Sequence, residues 1–329
     1  MRPQNVRSKI MSNRRAESSV GSALRNHQGA LQPAGFPGLP EGWESRSEAF
    51  ESSTPGLKLF AAIHRRNGGG NRVLIVSHGL GEHGGRYLHF AHYLRDAVDE
   101  VYCLDHRGHG RSEGTRGHVE RFDELSEDLA HAIKRVHDRV QAEGREPVLH
   151  LFGHSLGGLI ALKAALDHPR LPLRTLTLSS PLLGVKMAVP LPKRLAGNLL
   201  SRVWGSVQIP SGIDAAGLSH DPAVVEAYLA DRLVHDKVTP RLFTEMTAAY
   251  QATRARDKGL RVPLQMMLPE EDPVTDTDLA KRWFEALKTS KQGEKNLVTY
   301  PGFFHESFNE TGKERAFEDL ESWVRRHNN

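Results

Sequence analysis

A single cysteine, Cys103, stands in a chain of 329 residues. It has no partner for an intramolecular disulfide, and there is no cysteine cluster to hold zinc. It sits inside Val101-Tyr102-Cys103-Leu104, where a buried strand thiol is the expected state. Long apolar runs are also missing. None reaches about 18 residues, so no spanning helix is expected. Acidic residues are scarce at the start: Glu17 alone up to Pro40, against Arg2, Arg7, Lys9, Arg14, Arg15 and Arg25. That stretch lacks the apolar segment of a secretory signal. The net charge of +4 is small for the length, and no helix-turn-helix, zinc-finger or RNA-binding signature accompanies it, so nucleic acid is not an expected partner. These absences fit a reducing, cytoplasmic setting. What remains is 38% hydrophobic and 26% charged, the balance of a globular chain, with length for one large α/β domain or two small ones.

Residues 1–42 are polar, lack an apolar period and end in the breakers Gly35-Phe36-Pro37-Gly38-Leu39-Pro40. They are expected to be a poorly ordered extension. Trp43 to Phe50 and Leu57 to His64 read as an antiparallel hairpin. Then the pattern changes. Val73-Leu74-Ile75-Val76 is a continuous apolar run, as in a strand covered on both faces. Strand and helix alternate from there to Leu178, which predicts a parallel sheet with helices on both sides. From about 182 to 261 the alternation stops, and helical stretches are expected at Leu195-Val203, Ala223-Leu229 and Arg241-Ala255. An insertion of this size reads as a cap. Alternation resumes with a strand at Val262-Leu268, a helix near Asp278-Leu287, a strand at Asn296-Tyr300 and a last helix from Lys313.

The stretch Val148-Leu149-His150-Leu151-Phe152-Gly153-His154-Ser155-Leu156-Gly157-Gly158 carries the chemistry. An apolar strand runs into Gly-His-Ser-Leu-Gly, and a helical run follows. Alone, the pentapeptide is compatible with a chance Gly-Ser-Gly turn. Between a strand and a helix it is a nucleophile elbow, which lifts the serine hydroxyl out of the sheet edge. The Leu156 amide then lies at a helix N-terminus, free to stabilise an oxyanion. A serine hydroxyl is a weak nucleophile, so an imidazole must take its proton. A buried carboxylate must hold that imidazole in one tautomer. On such a sheet the order is serine, acid, histidine. His305 is the one histidine between the last strand and the last helix. Asp272 is the expected acid, with Glu271 and Asp276 competing. The second oxyanion amide falls to Leu80, in the His78-Gly79-Leu80-Gly81 loop after the third strand. Structural roles are expected for His78, His83, Arg86 and Tyr87, for His154 beside the serine, and for the turn and ion-pair residues Asp105, Arg107 and His109.

Taken together, His78 to Tyr87, Asp105-His106-Arg107-Gly108-His109-Gly110-Arg111-Ser112, the Ser155 elbow, the segment through Asp272 and Asp276, and Tyr300-Pro301-Gly302-Phe303-Phe304-His305-Glu306 resemble the monoacylglycerol lipase and lysophospholipase branch of the α/β-hydrolases. The resemblance spans residue 43 to the end. It implies a mostly parallel eight-stranded sheet with helices on both faces and a helical cap. It also implies hydrolysis of a single-chain acyl ester without cofactor or metal, by Ser155, Asp272 and His305 with the amides of Leu80 and Leu156. Two positions depart from the pattern. Leu80 stands where a smaller residue is usual. Pro269 replaces the usual glycine of the acid turn, and proline fixes φ and offers no amide. An aminopeptidase, a broad carboxylesterase and an inactive ligand-binding homologue are the alternatives. In the cap, Val185, Met187, Val189, Leu191, Leu195, Leu199, Leu200, Val203, Trp204 and Ile209 are expected to offer an acyl tunnel. With Lys193, Arg194 and Arg202 they make the cap a candidate for peripheral membrane contact. Oligomeric state is left open.

Overall fold

A computed structural model describes residues 29–186, 200–256, 259–288 and 294–329. Its centre is an eight-stranded sheet in the order β1-β2-β4-β3-β5-β6-β9-β10. The strands are β1 (Trp43–Glu51), β2 (Lys58–Arg66), β3 (Arg72–Ser77), β4 (Glu100–Asp105), β5 (Val148–His154), β6 (Thr175–Ser179), β9 (Leu264–Pro269) and β10 (Lys295–Tyr300). The pairs β1·β2 and β2·β4 are antiparallel. Every pair from β4 to β10 is parallel. The helices are α1 (Leu88–Tyr93), α2 (Asp123–Ala142), α3 (Leu156–Asp167), α4 (Pro222–Ala230), α5 (Pro240–Arg254), α6 (Thr277–Ala286) and α7 (Glu314–Arg326). A short pair, β7 (Ile209–Pro210) and β8 (Lys237–Val238), lies in the cap segment.

The continuous apolar strands follow from coverage on both faces. Along β3, Val73 and Ile75 enter one core, with Leu149 and Leu151 of β5 and Leu125, Leu129 and Ile133 of α2. Leu74 and Val76 enter the other, with Phe90 of α1 and Phe317 and Leu320 of α7. Side chains alternate across a strand, so a four-residue apolar run feeds both cores. The helix α2 buries one stripe, through Leu125, Leu129, Ile133, Val136 and Val140 at spacings of three and four, whereas α3 is buried on nearly every side.

One expectation needs correction. The extension was expected to be poorly ordered through residue 42. Instead Ala30, Leu31 and Gln32 are buried, and Phe36 meets the His89 ring edge-on at 4.9 Å. A polar stretch without period can still be held by backbone and side-chain bonds that no periodicity signals. Part of the cap segment packs on the sheet layers. Leu242, Met246 and Ala249 of α5 join the first core, because α5 lies along the outside of that layer. Met187, Val189, Leu191, Lys193, Arg194, Leu195 and Leu199 lie outside the described residues. Among the described residues, no helix is long and apolar enough to cross a membrane.

Candidate active site

The elbow forms because its backbone has no room for side chains. A Cβ on Gly157 would lie 2.1 Å from the Ser77 carbonyl oxygen and 2.4 Å from that of His78. One on Gly153 would lie 2.6 Å from the Gly157 oxygen. Ser155 sits between them at φ 53°, ψ −119°, in a region that a non-glycine residue occupies at a cost of about 1–3 kcal/mol. The turn is fastened on both sides: Ser155 N–H donates to the Ser179 oxygen at 3.0 Å, and the Ser155 carbonyl accepts Leu182 N–H at 2.9 Å.

Asp272 follows β9 and is fully buried. Its Oδ2 accepts His305 Nδ1–H at 2.8 Å and the Thr275 hydroxyl at 2.6 Å. Its Oδ1 accepts the Val274 and Thr275 amides at 2.7 and 3.0 Å. Burial alone would raise this carboxyl, but His305 and the Thr275 bonds bring it down to about 2. It is a fixed anion. Burial likewise pulls the His305 pKa down, and the Asp272 charge and hydrogen bond, with Glu306 and Glu82 behind them, more than reverse this and raise it. The competing carboxylates are engaged otherwise. Glu271 is exposed, and Asp276 caps α6 by accepting Leu279 N–H at 2.9 Å. The turn after β9 forms without an amide from Pro269. That proline ends β9, and the amides that anchor the turn belong to Glu270 and Glu271, which donate to the Tyr300 and Phe303 oxygens at 3.1 Å each.

Ser155 and His305 line one small cavity with Gly79, Leu80, Glu82, His154, Ile213, Leu218, Tyr228 and Glu306. It measures about 20 Å³, room for about one water molecule. Among the described residues, no hydrogen bond occupies the Leu80 or the Leu156 amide. The Gly79–Leu80 peptide is pinned by its neighbours: Gly79 N–H donates to Glu82 Oε1 at 2.6 Å, and His78 Nδ1–H donates to the Gly79 oxygen at 2.8 Å. His78 Nε2 accepts the His106 amide at 3.0 Å, and burial with the nearby His106 keeps the ring neutral, its pKa well below the usual value.

The flanking side chains are engaged in ion pairs and hydrogen bonds around the cavity. Arg86 bridges Glu82 at 2.5 Å and Glu306 at 2.8 Å, Tyr87 donates to Glu82 at 2.9 Å, and His83 meets the cap residue Asp231 at 3.2 Å. Arg107 pairs with Asp128 and Glu124. Asp105 accepts the Gly84 and Arg111 amides. His154 lies 4.8 Å from the His305 ring, and burial lowers its pKa to about 4.

Sequence reasoning missed several contributors. Thr275 closes an Asx turn on Asp272 and adds its hydroxyl, a support that no pattern in the sequence singled out. Ser180, at φ 46°, donates its hydroxyl to the His305 carbonyl at 2.7 Å across 125 residues of sequence. No local signal foretells that bond. The cap's contribution to the cavity was not named from the sequence. Ile213, Leu218 and Tyr228 form it, whereas Val203, Trp204 and Ile209 of the expected tunnel are exposed.

A family model described as "Serine aminopeptidase, S33" matches residues 70–312. The chain belongs to this family. Within it, the chain is 28% identical over 286 residues to a monoacylglycerol lipase of Mycolicibacterium smegmatis, covering 86% of this chain and 98% of the relative. It is 28% identical to the monoglyceride lipase of Mus musculus, covering 82% and 87%. The fold superposes on a Paleococcus ferrophilus monoacylglycerol lipase with a TM-score of 0.67 at 27% identity, covering 87% of this chain and all of that one. A Saccharomyces cerevisiae monoglyceride lipase variant gives 0.74 at 22% identity, covering 90% and 99%, a likeness of fold. This S33 chain is a monoacylglycerol lipase-like α/β-hydrolase.

Proposed function

We propose that this α/β-hydrolase cleaves the ester of a single-chain lipid, a monoacylglycerol or lysophospholipid, through an acyl-enzyme on Ser155. The observation that carries this is the buried Asp272–His305 pair at 2.8 Å, whose histidine lines one cavity with a serine held at positive φ. With Nδ1 committed to Asp272, the second nitrogen of His305 is the base for the Ser155 hydroxyl. The hydroxyl attacks the ester carbonyl, and the Leu80 and Leu156 amides receive the negative charge on its oxygen. His305 then returns the proton to the leaving alcohol. Water, activated by the same imidazole, attacks the acyl-enzyme and releases the fatty acid and Ser155. No step requires a cofactor. The lipid class is supported by the monoacylglycerol lipases among the relatives.

The family description favours a second reading, cleavage of a peptide from its free amine end. That chemistry needs an unspent carboxylate beside the cavity. Glu82 and Glu306 are there, but Arg86, Tyr87 and the Gly79 amide take up the first, and Arg86 and Asn309 the second. The lipid ester is therefore the preferred substrate. The test is labelling by a fluorophosphonate probe, then turnover of monoacylglycerols, lysophospholipids, p-nitrophenyl esters and amino-acid anilides. Labelling lost in Ser155→Ala with fastest turnover on a monoacylglycerol or lysophospholipid is the expected result. Turnover confined to anilides overturns the lipid assignment, and equal labelling of Ser155→Ala overturns the nucleophile.

A further inference from the structure

Ala30, Leu31 and Gln32 precede the region matched by the family model, yet all three are buried. They lie where the cap meets the turn that follows the Leu80 loop. Leu31 N–H donates to Asp231 Oδ2 at 2.9 Å. The same oxygen accepts His83 Nε2–H at 3.2 Å. Gly85 N–H donates to His83 Nδ1 at 3.2 Å, which fixes the tautomer that makes Nε2 the donor. Asp231 Oδ1 accepts Leu233 N–H at 2.9 Å. Gln32 Nε2 donates to the Gly85 oxygen at 3.1 Å. Ala30 packs so close to Gly85 that a Cβ on that glycine would lie 2.7 Å from its own.

Three donors therefore converge on one buried carboxylate, and each comes from a different part of the chain. Leu31 belongs to the N-terminal segment, His83 to the Leu80 loop and Leu233 to the cap. A buried carboxylate that loses a donor must turn toward another or take up water. Here loss of the Leu31 amide opens Asp231 Oδ2 to water, and a hydrated carboxylate holds His83 less rigidly. His83 is three residues beyond Leu80, and misplacement of a reacting group by about 1 Å costs about 100-fold in rate.

We infer that residues 30–32 are a positioning strap of the active site: the Leu31 amide locks Asp231 onto His83 and so fixes the loop that presents the Leu80 amide. This rests on the reading of Leu80 as an oxyanion donor. The strap touches no substrate. It acts through Asp231 and His83.

The experiment uses the full chain as native, Leu31→Pro, Leu31→Ala, His83→Ala and the Leu31→Pro/His83→Ala double variant. Kinetics are read on p-nitrophenyl butyrate, affinity on a phenylboronic acid whose tetrahedral serine adduct loads the oxyanion amides, and integrity as Tm. Leu31→Pro and Leu31→Ala both lose the apolar side chain, but Pro alone loses the amide. Leu31→Pro is expected to lower kcat about tenfold with KM changed less than about threefold, and to weaken the boronic acid by a like factor. Leu31→Ala stays near native, and the double variant is no worse than the poorer single one, because both remove one junction. Native kcat in Leu31→Pro, an equal fall in Leu31→Ala, or effects that multiply in the double variant would overturn the strap. If Leu31→Pro does not fold, Gln32→Ala replaces it. A fall in kcat and boronic acid affinity at unchanged Tm then supports the strap, and native values for both overturn it. Failure of the catalytic reading looks different, since the native chain itself would neither bind the boronic acid nor depend on Ser155.

Discussion

Ser155, Asp272 and His305 hang from the ends of β5, β9 and β10, whereas Ile213, Leu218 and Tyr228 above them hang from loops and the short helix α4. The floor is fastened by parallel strands and by backbone bonds such as Ser155 N–H to Ser179 O. The roof is joined to it at scattered points. Glu306 N–H meets the Leu218 oxygen at 2.8 Å, and His235 N–H meets the Gly81 oxygen at 2.8 Å. His220 meets Glu310, and Asp231 meets His83. Apolar side chains tell the same story. Those of the sheet are buried on both faces, while Trp204 is 66% and Leu229 71% exposed on the cap. The proposed catalytic groups thus sit in the part that packing holds, and the cap residues over them in a part held by a few polar contacts. The cavity at Ser155 measures about 20 Å³, and a larger cavity of about 730 Å³ shares Ile213 and Tyr228 with it.

The contrast can be broken at the floor first. Ser155→Ala is expected to lower kcat by about 10⁴-fold or more, measured on a short ester. Gly157→Ala should be nearly as severe for a different reason: its Cβ meets two backbone oxygens, so fluorophosphonate labelling is lost and stability falls by about 3 kcal/mol or more in denaturant unfolding.

Asp272→Asn comes next, with a fall of about 10³–10⁴-fold, and its pH profile carries a sign. Asp272 raises the His305 pKa above the ordinary 6.5. The base works only when neutral, so kcat/KM falls as pH drops through the raised value. Without the carboxylate, that acidic limb moves to lower pH while the plateau collapses. A limb that stays in place would show that the base is not His305, or that Asp272 does not set its charge.

Smaller effects test the supports. Thr275→Val removes the hydroxyl on Asp272 Oδ2, a bond to a charged group worth about 1.5–3 kcal/mol. A rate loss of about tenfold is expected, with the acidic limb shifted down as in Asp272→Asn but less. On the exposed side of the cap, away from the cavity, Trp204→Ser should leave short-ester kcat/KM unchanged and unfolding free energy within about 0.5 kcal/mol, because the side chain is exposed. A large loss on the short ester would erase the distinction between floor and roof.

Much of the floor was legible in the residues. The apolar run 73–76, the elbow glycines, and the order Ser155, Asp272, His305 each report a constraint that is local: a strand covered twice, a turn without space, a sheet that places its loops at one end. The roof was not legible, because Ile213, Leu218 and Tyr228 meet the cavity through loop geometry that has no period. Ser180 escaped for the same reason, since its partner His305 is near only in space. The N-terminal segment was misread because its hold on the domain is the Leu31 amide and the Gln32 side chain, and an amide is present at almost every residue.

Sequence alone determined the sheet, the elbow and the catalytic candidates, because periodicity and glycine placement are written within a few residues of one another. Only the tertiary structure decided that Asp272 and not Glu271 meets His305, which residues roof the cavity, and that residues 30–32 lock cap to loop. Each of those outcomes depends on which distant groups become buried together, and burial is a property of the folded chain.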